Sequence, residues 1–165
     1  MFRISGKNII LGVTGGIAAY KACELTRSLI NGEANVQIIM TKNATEFISP
    51  LTFQTLSRKR VATDVFDLEW EAEIGHISLA DSADLLVVAP ATANFIGKVA
   101  SGIADDLLTT VLMAVRSPVM ICPAMNVNMY SNPVVQENIE KLRKRGFIIV
   151  DPAEGDLACG YEGKG

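Results

Sequence analysis

The sequence has one histidine and three cysteines among 165 residues, and each scarcity excludes a class of chemistry. A lone histidine cannot build a His-based metal site. The cysteines, Cys23, Cys122 and Cys159, are odd in number and show no Cys-x-x-Cys spacing. That argues against a disulfide framework and against zinc, so no metal is expected and a reducing, cytoplasmic home is the default. Long apolar runs are missing too. The longest, such as residues 85–91, fall far short of the ~20 residues a membrane-spanning helix needs. The opening "MFRISGKNIILGVTGG" lacks a secretion-signal profile, because its apolar run is short and continues into a glycine turn. There is no basic excess: fifteen Lys and Arg face eighteen Asp and Glu, a net charge of −3. A nucleic-acid footprint is therefore not expected. The basic clusters at residues 58–60 and 141–145 read as solvated helix ends. Internal repeats and low-complexity segments are also absent.

What is present is apolar and alternating. Hydrophobic residues make up 49% and the mean hydropathy is +0.29. A chain of this length makes one domain with a sizeable core, and an oligomer interface is one outlet for extra apolar surface. Short apolar runs predict strands at residues 8–13, 36–40, 85–89, 119–122 and 147–150, with an edge strand at 60–66. Helical spacing predicts helices over 17–31, 104–115 and 132–145, with Gly32 and Gly146 as stops. A further helix starts at Thr41 and restarts at Ser49-Pro50. Asp105 and Asp106 sit in a first turn, where the dipole favours them. Near-continuous apolar strands separated by helices mean a mainly parallel sheet covered on both faces: a three-layer, doubly wound α/β domain spanning residues 1–165. In such folds ligands bind beyond the carboxyl ends of the strands.

The residues at those ends allow more than one reading. After the first strand, "GVTGGIAAYK" places Gly15-Gly16 before a helix. This is either a phosphate cradle or a turn that lets helix and sheet pack closely. The spacing is not G-x-G-x-x-G, and Met40-Thr41-Lys42 stands where a dinucleotide site wants an acidic residue. NAD is disfavoured; a mononucleotide phosphate is allowed. After residues 85–89 comes a turn, Pro90 to Asn94 ("PATAN"), which either caps a helix or offers Asn94 to the edge of a heterocycle. The loop "CPAMNVNMYSNP" offers Asn126 to a carboxylate or carbonyl and its methionines, Met125 and Met129, to a ring, or is an ordinary loop whose Asn132-Pro133 starts a helix. His76, in "EIGHISLADSAD", is either a bland surface residue or an acid/base group. Cys23 and Cys122 look like core residues. Cys159, in "LACGYEGKG", sits either on a frayed tail or on a mobile flap.

Taken in order, "GVTGGIAAYK", His76, "PATAN", "PAMN" and "ACGYEGKG" cover the whole chain and resemble the homo-oligomeric flavin-containing cysteine decarboxylases. The family's flavin motif often reads Pro-Ala-Ser-Ala-Asn-Thr; here Thr92 and Phe95 depart from it and Asn94 is kept. The resemblance implies a Rossmann-like flavoprotein that binds FMN. Gly15, Gly16, Ile17 and Ala18 would line the flavin, with Thr41 near its phosphate and Pro90, Ala91, Thr92, Ala93 and Asn94 along the cofactor. Met125 would lie in the flavin region. Asn126 would hold the substrate carboxylate, with Ala158 and Gly160 in a substrate clamp that begins at residues 157–165. That clamp's family pattern ends Gly-x-Gly-Arg, and the sequence stops at Gly165, before the arginine.

The implied reaction is decarboxylation of 4'-phosphopantothenoylcysteine to 4'-phosphopantetheine in coenzyme A biosynthesis. A cysteine carboxylate has no electron sink for loss of carbon dioxide. Thiol oxidation creates one, and the resulting ene-thiol is then reduced, so the net reaction is non-redox. His76 is assigned as acid/base group and Cys159 as proton donor in the reduction. The resemblance further implies trimers, or a dodecamer of four trimers, and is compatible with fusion to a phosphopantothenate–cysteine ligase domain. A peptidyl-cysteine decarboxylase and a non-catalytic flavin-binding regulatory protein are the alternatives, and a flavin prenyltransferase is a weaker one.

Overall fold

Alternation along the strands sets the layers. In β1 (Asn8–Val13), Ile9, Leu11 and Val13 belong to one buried cluster and Ile10 to another. Successive strand side chains point to opposite faces, so β1 is covered on both. The computed structural model describes residues 4–73, 75–156 and 162–164. After β1 come α1 (Ala19–Asn31), β2 (Asn35–Met40), a 3-10 turn (Lys42–Glu46), α2 (Pro50–Ser57), α3 (Leu68–Glu73) and α4 (His76–Ser82). Then follow β3 (Leu85–Ala91), α5 (Ala93–Ala100), α6 (Leu107–Ala114), β4 (Val119–Pro123), α7 (Val127–Tyr130), α8 (Pro133–Lys144) and β5 (Ile148–Ile149). A small antiparallel pair, β6 (Glu154–Asp156) with β7 (Glu162–Lys164), closes the described chain.

The five main strands are all parallel, in the order β2-β1-β3-β4-β5. One face carries Leu86, Val88, Val119 and Ile121 against α4, α5, α6 and α8. The other carries Ile9, Leu11, Ile38 and Met40 against α1 and α2, with Phe53 fully buried. The expected three-layer arrangement is what forms. Gly12 makes one close approach possible: a Cβ there would lie 2.5 Å from Leu108 Cδ1, so α6 packs directly on β1. The strand order reverses between β1 and β3, as the chain steps first to one side of β1 and then to the other. That reversal opens the crevice in which ligands bind in this architecture.

Several expectations need correction. Residues 60–66 form no strand; a single bridge, Ile39 to Ala62, is all that pairs there. Polar and charged residues interrupt that stretch, and Asp64 and Asp67 instead accept bonds from Phe66 N and Trp70 N. Pro90 to Asn94 is not a turn. Pro90 and Ala91 continue β3, Thr92 caps α5, and Ala93 and Asn94 form the first helical turn. The predicted helix over 104–115 begins later, because Asp106 is its cap: its carboxylate accepts from Thr109 N at 2.8 Å in a reciprocal capping box. Helix α1 starts at Ala19 rather than residue 17. Helix α3 was not expected; six residues show too little periodicity. Other helix starts follow their caps, with Ser49 and Asn132 accepting from Leu51 N and Val134 N ahead of Pro50 and Pro133.

Candidate functional site

Sequence gathers small and polar residues at the ends of three neighbouring strands, and the fold brings them to one place. Beyond the carboxyl ends of β1, β2 and β3 lies a cavity of about 420 Å³, lined by Thr14, Gly15, Thr41, Asn43, Thr92 and Asn94 among others. Each wall has a local cause. The Thr41 hydroxyl caps the 3-10 turn by accepting from Ala44 N at 3.3 Å, and its own N–H donates to Val13 O at 3.0 Å. This draws the turn back over the end of β1. Gly15 permits the closeness: a Cβ there would lie 2.7 Å from the backbone carbonyl carbon of Asn43, nearer than any real side chain comes. Opposite, Thr92 caps α5 by accepting from Phe95 N at 3.2 Å. The Ala89–Pro90 peptide just before it is cis.

Thr14 joins the two walls. It is 2% exposed, and its hydroxyl donates to Pro90 O at 2.6 Å while accepting from Thr92 N at 3.1 Å. The far side of the cavity carries charge. Lys98, one turn beyond Asn94 on α5, pairs with Asp105 at 2.9 Å, and both line the cavity with Asp106 and Met129. The hydrogen bond from Lys98 holds the Asp105 carboxyl below the ordinary carboxylate range. Lys42 lines the opposite end, beside Thr41.

Of the residues expected to hold a cofactor, Gly15, Thr41, Thr92, Ala93 and Asn94 line the cavity. Gly16 adjoins it, with space for a Cβ 3.6 Å from Thr92 Cγ2. Ile17 and Ala18 lie in the turn before α1, and Ile17 is 59% exposed. Pro90 and Ala91 remain in the sheet behind the cavity. Met125 packs against the core, whereas Met129, one turn of helix further on, lines the cavity. Asn126 caps α7, its side chain accepting from Asn128 N at 2.8 Å. Sequence reading missed Thr14, Lys42, Asn43 and Lys98, whereas Met129 is one of the two loop methionines it offered to a ring. Lys98 had a usable signal, since a helix starting at Ala93 puts it on the face of Asn94.

His76 opens α4 and is not among the residues lining the cavity. Its backbone N donates to Glu71 Oε2 at 3.2 Å, and its Nδ1 lies 3.0 Å from the same carboxylate. The hydrogen bond from the His76 side chain lowers the Glu71 carboxyl below its usual range, against a partial cost of burial. Burial pushes the Cys23 and Cys122 thiols up, so neither is a ready nucleophile. Cys159, Ala158 and Gly160 lie outside the described residues. The strand β7, within the expected clamp, lies beside α7, the helix that Asn126 caps. Among the described residues, no helix is long and apolar enough to cross a membrane.

Known proteins are similar to this chain in sequence and in fold. The chain is 56% identical over 162 residues to the coenzyme A biosynthesis bifunctional protein CoaBC of Bacillus subtilis, covering 98% of this chain and 40% of that protein. The chain thus spans about two fifths of the length of the curated relatives it matches. Among solved structures, the FMN-dependent cysteine decarboxylase SpaF superposes with a TM-score of 0.85 at 35% identity, covering 97% of this chain and 91% of that one. A cysteine-to-serine mutant of a PPC decarboxylase, complexed with pantothenoylaminoethenethiol, gives 0.83 at 32%, covering 97% and 90%. The family model described as Flavoprotein matches residues 3–165. With that match over nearly its whole length, and with its glycine turn, capped helix and cavity set at the strand reversal, the chain belongs to the Flavoprotein family.

Proposed function

We propose that this chain is an FMN-dependent decarboxylase that converts 4'-phosphopantothenoylcysteine to 4'-phosphopantetheine in coenzyme A biosynthesis, in the cytoplasm. One observation carries the reading: the cavity at the strand reversal is walled by Thr14 and Gly15 of "GVTGG" and by Thr92, Ala93 and Asn94 of "PATAN", two of the segments that resemble the flavin-containing cysteine decarboxylases. Relatives bear on it as well, since CoaBC proteins match along the whole chain and the decarboxylase SpaF shares its fold.

The residues present suit FMN. Gly15, Thr41 and Asn43 make a narrow end that carries the Thr41 hydroxyl, with Lys42 also in its lining, and a hydroxyl and a cation suit a phosphate. Thr92, Ala93 and Asn94 form a small-residue wall whose one amide suits the edge of a ring. Bound FMN supplies reversible electron transfer to and from the substrate thiol carbon. The chain's own residues do the rest. Asn126 holds the substrate carboxylate. His76 takes and returns a proton. Cys159, on a clamp of residues 157–165, donates the proton that completes the saturated thiol, and the closed clamp excludes water.

The proposed assembly is a homo-oligomer, a trimer or a dodecamer of trimers. Phe66, Leu68 and Ile77, on or beside α3 and α4, are 85%, 82% and 53% exposed, an apolar surface suited to a second copy. An FMN near a subunit contact would let the cavity of one copy meet His76 of another. The fused partner is a phosphopantothenate–cysteine ligase domain, in keeping with the bifunctional relatives.

The experiment is flavin spectroscopy with product analysis on the full-length protein. A yellow protein that forms 4'-phosphopantetheine is expected. Bound flavin with no turnover supports a regulatory flavin-binding role instead, and turnover only of peptides ending in cysteine supports a peptidyl-cysteine decarboxylase.

A further inference from the structure

We propose that Glu71 is the positioning residue of His76, fixing its imidazole with the proton on Nδ1 and leaving Nε2 to exchange a proton with substrate. The inference rests on the acid/base reading of His76 given above. Its geometric basis is independent of that reading.

Glu71 meets His76 twice. One carboxylate accepts from the His76 backbone N at 3.2 Å and lies 3.0 Å from the ring Nδ1. The backbone bond fixes the carboxylate against the first residue of α4. The ring contact then fixes the imidazole against the carboxylate. An ionised carboxylate only accepts hydrogen bonds, so the ring nitrogen facing it carries the proton. In the neutral ring the other nitrogen, Nε2, is then the acceptor.

The helix that carries Glu71 is itself held. Trp70, the preceding residue, is 1% exposed and anchors α3 in the core. Asp67 caps that helix by accepting from Trp70 N at 3.1 Å, and Arg60 holds Asp67 at 2.8 Å. Gly75 makes the turn that folds α4 back toward Glu71; its φ of +68° is one that other residues adopt at a cost. The pair is too exposed to serve stability. The His76 and Glu71 side chains are 27% and 38% exposed, and such ion pairs contribute little to folding. A two-point contact on a braced helix, whose backbone bond fixes the carboxylate and whose ring contact adds little stability, is an arrangement for orienting a ring.

The test reads the tautomer directly, by nitrogen NMR of the full-length, FMN-loaded protein labelled at histidine. The His76 signal is assigned by its loss in His76→Asn, at a pH where the ring is neutral. The wild type is expected to carry its proton on Nδ1. Glu71→Gln, whose amide oxygen still accepts, keeps that tautomer. Glu71→Ala shifts the ring to the Nε2–H form that free imidazole side chains favour, and kcat falls about tenfold to a hundredfold with KM unchanged. An Nε2–H wild type, or an unchanged tautomer in Glu71→Ala, overturns the inference. So does a tautomer that shifts while kcat holds. A fully active His76→Asn would instead overturn the acid/base reading, whatever the tautomer.

Discussion

The Thr14 hydroxyl donates to the Pro90 carbonyl at 2.6 Å and accepts from Thr92 N at 3.1 Å. It thereby joins the end of β1 to the end of β3 and the cap of α5, at the strand reversal between β1 and β3, and sets the spacing of the cavity's two walls. Thr14→Val preserves the volume and removes both bonds. The Thr92 N–H is then left without its partner, at a cost of about 1–3 kcal/mol. We expect a matching fall in the urea midpoint and a larger relative loss of bound flavin. A variant with unchanged midpoint and flavin content would show that the bridge does not set the walls.

Gly15 tests the narrow end. Its missing Cβ faces the Asn43 backbone, not a pliable side-chain tip. Gly15→Ala must displace the 3-10 turn and should cost about 1–3 kcal/mol, as overpacking does. Gly12→Ala meets only the Leu108 side chain, so it should lower stability while sparing flavin affinity. Flavin titration of both variants separates the two effects, and equal affinity losses would contradict the assignment of Gly15 to the cradle.

Asp84 should make stability depend on pH. Its carboxyl is held below the ordinary value of 3.8, first by the hydrogen bond from Asn8 N and then by that from Lys7. A lowered carboxyl stabilises the fold above its unfolded pKa, and that contribution disappears as pH falls through the lower, folded value. The Tm difference between wild type and Asp84→Asn should therefore be steady above about pH 5 and shrink below 3.8. A difference that grows with acid would reverse the sign and refute the account.

Cys159 has a sharper signature than loss of rate. Cys159→Ser should still release carbon dioxide while saturated thiol fails to form. Mass spectrometry of the product is the check, and an unchanged yield of 4'-phosphopantetheine would remove Cys159 from its proposed role.

How much was legible depended on how local each cause was. Strand β1 was readable to the residue, because Ile9 to Val13 is an apolar run that follows polar Asn8 and ends at a threonine and glycine turn. Helices α2 and α8 were readable at their starts, because Ser49-Pro50 and Asn132-Pro133 carry cap and first residue together. The stretch at 60–66 was misread because its branched and aromatic residues look like a strand, whereas Asp64 within it and Asp67 just after it bond to nearby backbone. In the site, Gly15 and Asn94 stood out by motif. Thr14 did not, because its partners Pro90 and Thr92 are 76 and 78 residues away. The Glu71 to His76 contact spans only five residues, yet it depends on the break between α3 and α4 at Gly75, which apolar periodicity does not mark.

The central claim is net decarboxylation with no net oxidation. Its most direct test is anaerobic turnover of 4'-phosphopantothenoylcysteine by the flavin-loaded, full-length protein with no added oxidant or reductant. The account predicts one carbon dioxide released for each 4'-phosphopantetheine formed, over many turnovers per flavin, with the oxidised flavin spectrum restored at the end. Turnover that stops after one event per flavin, or that yields only ene-thiol, would contradict it.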